Sequence, residues 1–206
     1  MRDRGTHERS AIDAILDEGL LCHVGVDDGD GPVVTPMAYA RVGARLYLHG
    51  APGNRTLRLL ASGAPACLTV TLLDGLVLAR AAFHHSMNYR CVMLFGHGRA
   101  VEDEDEKRTA SAALLEHMAR GRSGDARPPS DAELRSTLVV SFPVVEGSAK
   151  VRTGGPIDED DDLARPIWAG VVPFRFVAGD PVPEGGLPEG TATPPYASRY
   201  PPRGAG

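Results

Sequence analysis

The stretch LYLHGAPGNRTLR, residues 46–58, has the pattern of a β-strand that leads through a short loop into a helix. Its first part is apolar, and the Ala-Pro-Gly-Asn segment that follows interrupts any regular structure. The glycine spacing fits neither a dinucleotide fingerprint nor a P-loop. A helix that begins at Arg55 presents free backbone N–H groups and an arginine, and both attract phosphate. The alternative is that Asn54 only caps the helix and that Arg55 and Arg58 are solvated.

Several further segments predict short β-strands. The segments 20–26 and 32–40 are apolar and are separated by a DDGDG turn. Pro36 in the second segment predicts an edge strand or a bulge, where backbone groups are free. The Asp-Gly pair in ACLTVTLLDGLVLARAAF, residues 66–83, predicts a two-residue hairpin turn. Further strands are predicted within the segments 88–102, 136–145 and 168–176.

Helices are inserted among these strands rather than alternating with them. Thr6 is positioned to cap a helix that Gly19 ends, and residues 103–120 have the charge order of a second helix. This order predicts a mainly β protein with helical insertions, an α+β β-barrel. Residues 179–206 are rich in Gly and Pro and are predicted to be a disordered tail. The folded domain is therefore expected to span residues 1–178.

The composition is that of a globular protein from a reducing compartment. Hydrophobic residues make up 42% of the chain, and no apolar run approaches the length that crosses a bilayer. The N-terminus is charged and no signal peptide is expected. The three cysteines are scattered, which argues against a disulfide framework. The net charge of −5 argues against nucleic acid as the main partner. We expect a soluble cytoplasmic protein that does not act at a membrane.

Three segments together resemble the FMN-binding split-barrel proteins related to pyridoxamine 5'-phosphate oxidase. They are PMAYARVGARLYLHGAPGNRTLRLL, CLTVTLLDGLVLARAAFHHSMNYRCVMLFG and GSAKVR. The resemblance extends over about residues 7–177 and is nearest to the flavin-nucleotide-binding and nitroimidazole-resistance branch. It implies a six-stranded split β-barrel, a homodimer, and FMN bound in clefts at the subunit interface.

The resemblance also implies a set of cofactor-binding residues, from the second strand along the isoalloxazine ring to a later basic segment. They are Pro36, Met37, Ala38, Tyr39, His49, Gly50, Asn54, Arg55, Thr56, Ser86, Asn88, Tyr89, Arg90, Cys91, Lys150, Arg152 and Trp168. His49 and Tyr89 are the candidates for proton delivery to a small-molecule substrate. The residues also allow other interpretations, in which His49 and Cys91 are structural and Arg90 is an exposed charge.

The function that the sequence favours is an FMN-dependent oxidoreductase acting on a small molecule. The chain after Trp168 lacks the arginine- and histidine-bearing segment with which a pyridoxamine phosphate oxidase holds its substrate, so vitamin B6 oxidation is not expected. One alternative is a non-catalytic flavin-binding protein. Another is a haem-binding split barrel with His49, His84 or His85 as an axial ligand. No other metal site is predicted, because no set of ligands has workable spacing.

Overall fold

The computed structural model describes residues 4–201 and arranges them as two β-sheets with inserted helices. The strands are β1 Gly5–Thr6, β2 Leu21–Asp27, β3 Pro32–Ala38, β4 Ala40–Val42, β5 Arg45–Gly50, β6 Pro65–Leu78, β7 Ser86–His97, β8 Arg99–Ala100, β9 Leu138–Pro143, β10 Glu146–Arg152 and β11 Gly170–Pro173. The α-helices are α1 Arg9–Glu18, α2 Arg55–Ala61, α3 Glu104–Met118, α4 Asp131–Arg135, α5 Asp160–Leu163 and α6 Pro195–Ser198. Within residues 4–201, no helix is both long enough and apolar enough to span a membrane.

The larger sheet has the strand order β1-β10-β7-β6-β2-β3, and β11 pairs with β6 outside this path. The smaller sheet has the order β4-β5-β9-β8. All pairs in both sheets are antiparallel, which fits a chain built from short connections rather than crossover helices. The prediction of a mainly β protein with helical insertions is confirmed.

One apolar core joins both sheets with α1 and α2. Alternate residues of β2, namely Cys22, Val24 and Val26, face this core, as expected for a strand with one solvated face. Leu57 and Leu60 of α2 pack on the same core and are fully buried, each contributing about 1.5–3 kcal/mol relative to an exposed leucine. This packing fixes α2 beside the strands that precede it.

The helix ends agree with the sequence at two positions and differ at a third. The Asn54 side chain accepts a hydrogen bond from Leu57 N–H at 3.0 Å and caps α2, as predicted. Gly19 ends α1, as predicted. The prediction that Thr6 caps α1 is wrong, because the helix begins at Arg9. Thr6 lies instead in β1, which pairs with β10, so sheet pairing determines its conformation.

The predicted hairpin at Asp74 and Gly75 does not form. β6 continues through both residues and pairs with β7 on either side of them, with a bulge between Leu73 and Gly75. A β-carbon at Gly75 would lie 2.6 Å from the carbonyl oxygen of Val172, so glycine allows β11 to approach β6 here. The prediction was wrong because the two halves of this segment pair with β7 and not with each other.

Residues near the C-terminus contact the end of α3. The Tyr196 hydroxyl donates to Asp125 at 2.6 Å and accepts from Arg122 at 2.7 Å. The Tyr200 hydroxyl donates to the carbonyl oxygen of Met118 at 2.7 Å. Disorder of residues 179–206 stays a prediction, of which residues 202–206 lie outside the described part of the chain.

Candidate functional site

The residues predicted to bind a cofactor lie in two groups at different ends of the larger sheet. We call the first group the β3 end: residues 36–39, His49, Gly50 and residues 54–56. We call the second group the β10 end: Asn88, Tyr89, Arg90 and Cys91 of β7 with Lys150 and Arg152 of β10. Along the larger sheet, two strands separate β3 from β7 and three separate it from β10. The two groups therefore lie on different, non-adjacent strands of the larger sheet.

The β3 end contains an open strand edge. Among the described residues, β3 pairs with β2 alone, so the prediction that Pro36 marks an edge strand is confirmed. In an antiparallel pair, every second residue bonds to the partner strand and the residues between them turn their backbone groups away from it. Pro36 has no N–H to donate to β2, so residues 32, 34, 36 and 38 are the ones that turn their backbone groups to the open edge. Since 32 and 36 are prolines, the edge offers four carbonyl oxygens but only the N–H groups of Val34 and Ala38.

The first turn of α2 lies beside this edge. The hydroxyl oxygens of Thr35 in β3 and Thr56 in α2 are 2.8 Å apart, and Thr56 is buried. Asn54 uses its side-chain oxygen as the helix cap. The side chains of Asn54 and Thr56 are therefore engaged within the protein, and the turn presents mainly backbone groups and arginines to its surroundings.

Arg55 is already paired with carboxylates. Its Nη2 lies 2.8 Å from Asp28 and 3.7 Å from Asp30, in the turn between β2 and β3. The Arg55 side chain is 64% exposed, whereas the Asp28 side chain is 3% exposed. No local sequence pattern indicates this pairing, because Asp28 lies 27 positions from Arg55 in the chain. A phosphate at Arg55 would have to compete with these two carboxylates.

Only alternate side chains of residues 36–39 face outward. The Tyr39 side chain is fully buried, its hydroxyl donates to the Leu16 carbonyl oxygen at 2.7 Å, and Met37 lies in the core. Pro36 is exposed and Ala38 is half-buried. A ligand at this edge would therefore contact Pro36, Ala38 and the backbone.

His49 lies at the end of β5, on the surface near the α2 loop. Partial burial of its imidazole lowers the pKa of His49 below its usual value, so the ring is neutral at neutral pH. Gly50 follows it, and a β-carbon there would lie 2.8 Å from Leu57 Cδ1, so glycine lets α2 pack closely on β5. A neutral imidazole at this position can accept a proton from a bound molecule or donate one to it.

Arg90 belongs to a cluster of charges at the β10 end. Its guanidinium donates to both oxygens of Glu18, with Nη2 to Oε1 at 2.8 Å, and to both oxygens of Asp74, at 2.8 and 2.9 Å. The hydrogen bonds that Arg90 donates to Glu18 and then to Asp74 raise the pKa of Arg90 above its usual range. The interpretation of Arg90 as an exposed charge is therefore wrong, and the cluster joins α1, β6 and β7. Contact between Arg90 and a cofactor stays a prediction.

Tyr89, Cys91 and Lys150 of the β10 end lie along the outer face of the sheet, whereas Asn88 and Arg152 are buried. Lys150 Nζ lies 5.7 Å from the ring centroid of Tyr89, and Cys91 is half-buried beside them in the sheet. The row continues along β7 with Met93 and Phe95, which are exposed in the single chain. Tyr89 and His49, the two predicted proton donors, are on different elements and lie in different groups.

Trp168 and Ser86 lie near the chain turn that connects β6 to β7. Trp168 is 65% exposed and lies two residues before β11. The first residue of β11, Gly170, pairs with Leu78 of β6, and the neighbouring Val77 pairs with Ser86 of β7. The same turn carries Phe83, which is 91% exposed and which the sequence did not single out.

Two histidines follow Phe83 in this turn. The ring of His85 donates from Nδ1 to the Ala81 carbonyl oxygen at 3.1 Å, which leaves Nε2 with a free lone pair. Nε2 of His84 lies 3.8 Å from Glu159. Within residues 4–201, no three His, Cys, Asp or Glu side chains converge as metal ligands.

Comparisons with known proteins identify similar chains. The family model for pyridoxamine 5'-phosphate oxidase matches residues 8–151. A flavocytochrome from Azotobacter vinelandii is 36% identical with a TM-score of 0.87, over 94% of this chain and 90% of that one. An FAD- and haem-binding protein from Mycobacterium smegmatis is 36% identical with a TM-score of 0.90, over 94% and 95%.

A third solved structure agrees with the predicted branch of the family. It is a Bacteroides thetaiotaomicron protein assigned to 5-nitroimidazole antibiotic resistance, 28% identical with a TM-score of 0.60, over 71% of this chain and 86% of that one. No curated protein sequence matches the chain.

Proposed function

We propose that this chain is a flavin-dependent redox protein, because it belongs to the pyridoxamine 5'-phosphate oxidase family and has the split β-barrel fold. The sequence predicts FMN, and the Mycobacterium smegmatis protein, at 36% identity, binds FAD. Both nucleotides carry the same tricyclic ring and at least one phosphate, so the chemistry of the site is shared. The observation that carries the proposal is the open β3 edge beside His49 and the first turn of α2.

The β3 edge matches the polar rim of a flavin ring. The rim has both donors and acceptors, and the edge offers the N–H groups of Val34 and Ala38 with the carbonyl oxygens between them. Pro36 and Ala38 supply apolar contacts to the ring face, and Arg55 with Arg58 supplies positive charge for the phosphate. A bound flavin supplies electron or hydride transfer, and His49 holds or donates a proton at its neutral imidazole.

A second copy of the chain would complete the site. Two or three strands separate the β3 end from the β10 end in one chain, which favours a site that combines the β3 end of one subunit with the β10 end of the other. The exposed apolar side chains of Met93 and Phe95, on the outer face beside the β10 end, support a homodimer interface there. Light scattering over a dilution series tests this, and a stable monomer that keeps its flavin would contradict it.

The first test of function is to release the cofactor from purified protein and identify it by mass spectrometry. We expect a flavin nucleotide, and the mass distinguishes FMN from FAD. Oxidation of NADH or NADPH with a small-molecule acceptor then separates an oxidoreductase from a flavin carrier. A protein that holds no flavin and binds neither FMN nor FAD would refute the proposal.

Haem is a second candidate ligand, which His85 and its apolar surroundings favour. Nε2 of His85 is free to coordinate iron because Nδ1 is bonded to a carbonyl, and Phe83 and Trp168 expose large apolar faces near this turn. The two solved structures at 36% identity are a flavocytochrome and a haem-binding protein.

The haem candidate has a matched control in His97. Its Nδ1 donates to the Gly63 carbonyl oxygen at 2.8 Å, but it lies at the other end of β7 from Ser86. We expect His85→Ala to abolish the haem Soret band and His97→Ala to leave it unchanged. Loss of the band in His49→Ala or His84→Ala alone would move the ligand to that residue, and absence of the band in the unmodified protein would remove the candidate.

A further inference from the structure

Arg152, the last residue of β10, is a buried cation without a carboxylate partner. It is 6% exposed, and no Asp or Glu of residues 4–201 lies within ion-pair distance of it. Its Nη1 donates to the Asn88 side-chain oxygen and, at 3.4 Å, to the Gly154 carbonyl oxygen. Its Nη2 donates to the Gly155 carbonyl oxygen at 3.3 Å, and its buried Nε has no partner among the described residues. A buried guanidinium without an anion is unfavourable for folding.

Two other arginines of the same chain show how the fold stabilises such a charge. Arg90 is held by Glu18 and Asp74, as described above. Arg80 donates from Nη1 and from its backbone N–H to the two oxygens of Asp158, at 2.8 and 2.9 Å. Arg152 has only neutral amide oxygens in the corresponding positions, which indicates that its anion is not among the described residues 4–201.

A cavity of about 470 Å³ borders Arg152. It is lined by Arg4, Val151, Arg152 and residues 153–157, and no acidic residue is among them. A β-carbon at Gly154 or Gly155 would meet no atom within 4 Å, so the space over this loop is open to a ligand. Two cations and an open glycine loop form a cavity that is complementary to an anion.

We propose that Arg152 and Arg4 bind a phosphate or carboxylate group of a ligand in this cavity, at a site separate from Arg55. Nε and Nη2 lie on one side of a guanidinium and form the fork that pairs with two oxygens of such a group. In Arg152, Nε has no partner and Nη2 has one long bond, so this fork is available once residues 153–155 shift to uncover it. The anion belongs to a free small molecule or is a phosphate of the flavin, and this second source rests on the proposed function.

The test measures the melting temperature of the purified protein against the concentration of inorganic phosphate and of pyrophosphate, at constant ionic strength. We expect the melting temperature to rise with either anion and Arg152→Met to lower the apparent affinity at least tenfold. Without anion, Arg152→Met should lower the melting temperature less than Arg80→Met does, because it takes a cation from neutral amide oxygens and not from a buried carboxylate. The matched control, Arg80→Met, should melt lower because Asp158 loses its cation, but it should keep the response to phosphate.

Two further measurements distinguish a free anionic ligand from the flavin phosphate and keep the proposal testable. A response in the protein with its cofactor in place supports a free anionic ligand, and a response only after cofactor removal supports the phosphate of the flavin. Arg4→Met, which leaves the buried bonds of Arg152 intact, should weaken the response several-fold. The proposal would be overturned if the melting temperature of the unmodified protein did not rise with either anion, with or without cofactor. It would also be overturned if the melting temperature of Arg152→Met rose with anion as much as that of the unmodified protein. A melting temperature of Arg152→Met as low as that of Arg80→Met would assign Arg152 to fold stability and would also overturn it.

Discussion

The β3 and β10 ends of the larger sheet each carry an arginine, and the chain stabilises the two charges in opposite ways. At the β3 end, Arg55 is mostly exposed and pairs with Asp28 and Asp30. At the β10 end, Arg152 is buried among neutral amide oxygens. The exposed Arg55 lies at the start of a helix, where phosphate commonly binds, yet it already has carboxylate partners. The buried Arg152 lies at no helix start and has no carboxylate partner among residues 4–201. The presence or absence of carboxylate partners therefore indicates a different anion site from the one that the local sequence pattern indicates.

The largest change in stability is expected at Arg90, whose charge is balanced by carboxylates in a partly buried cluster. Arg90→Ala removes the cation that pairs with the buried Asp74 carboxylate and should lower the free energy of unfolding by about 3–5 kcal/mol. Urea denaturation measures this. The control is Arg127→Ala, which removes an exposed pair with Glu133 and should lower the free energy of unfolding much less. Equal losses in the two variants would mean that compensation of buried charge does not stabilise this fold.

The next effect concerns backbone packing where β11 meets β6. Gly75→Ala places a β-carbon against the Val172 carbonyl oxygen and should lower the free energy of unfolding by about 1–3 kcal/mol. The fluorescence of Trp168, the single tryptophan, should shift because β11 moves. Gly124→Ala is the control, since its β-carbon meets no atom within 4 Å. An unchanged Gly75→Ala protein would favour a free turn at this position over the paired bulge.

A smaller effect tests the exposed arginine of the β3 end directly. Arg55→Ala should weaken flavin nucleotide binding by roughly tenfold, which corresponds to one charge-assisted hydrogen bond. Asp28→Asn should tighten it, because it removes a competing carboxylate. Riboflavin, which has no phosphate, should bind both variants alike, and Arg58→Ala should lose less than Arg55→Ala. If Asp28→Asn weakens binding in titrations followed by flavin fluorescence, the competition between carboxylate and phosphate is refuted.

The smallest effect is a change in acid stability at His49. Burial lowers its pKa in the folded chain, so below the usual value of about 6.5 the unfolded chain binds more protons than the folded one. Stability from this group is therefore fully present above that pH and falls as the pH drops through it. His49→Gln should lose less stability than the unmodified protein between pH 7.5 and 5.5, and His97→Gln serves as the control. A steeper acid loss in His49→Gln would contradict the lowered pKa.

Local rules predicted the elements that local sequence determines. The strand over residues 20–26, the edge position of Pro36 and the Asn54 cap depend on neighbours within a few residues, and all three are confirmed. The Asp74-Gly75 pair obeys the same kind of rule but forms no turn, because pairing with β7 on both sides outweighs it.

The charges of the site were less predictable, because each depends on a partner that the fold selects. The pairing of Arg55 with Asp28 and that of Arg90 with Glu18 and Asp74 join residues 16 to 72 positions apart. No local signal in the sequence indicates such partners, whereas the resemblance to a family names positions without their electrostatic surroundings. Whether an arginine is free to bind a ligand is therefore a property of the tertiary structure.

The two prolines of β3 have a consequence for the protein before it acquires any ligand. An unpaired strand edge can template strands from other molecules, and regular ladders of this kind grow into fibres. Pro32 and Pro36 remove every second donor from this edge, so an incoming strand finds acceptors without the matching N–H groups. Newly made chains are thereby protected from stacking edge to edge, while the carbonyl oxygens of the same strand stay available.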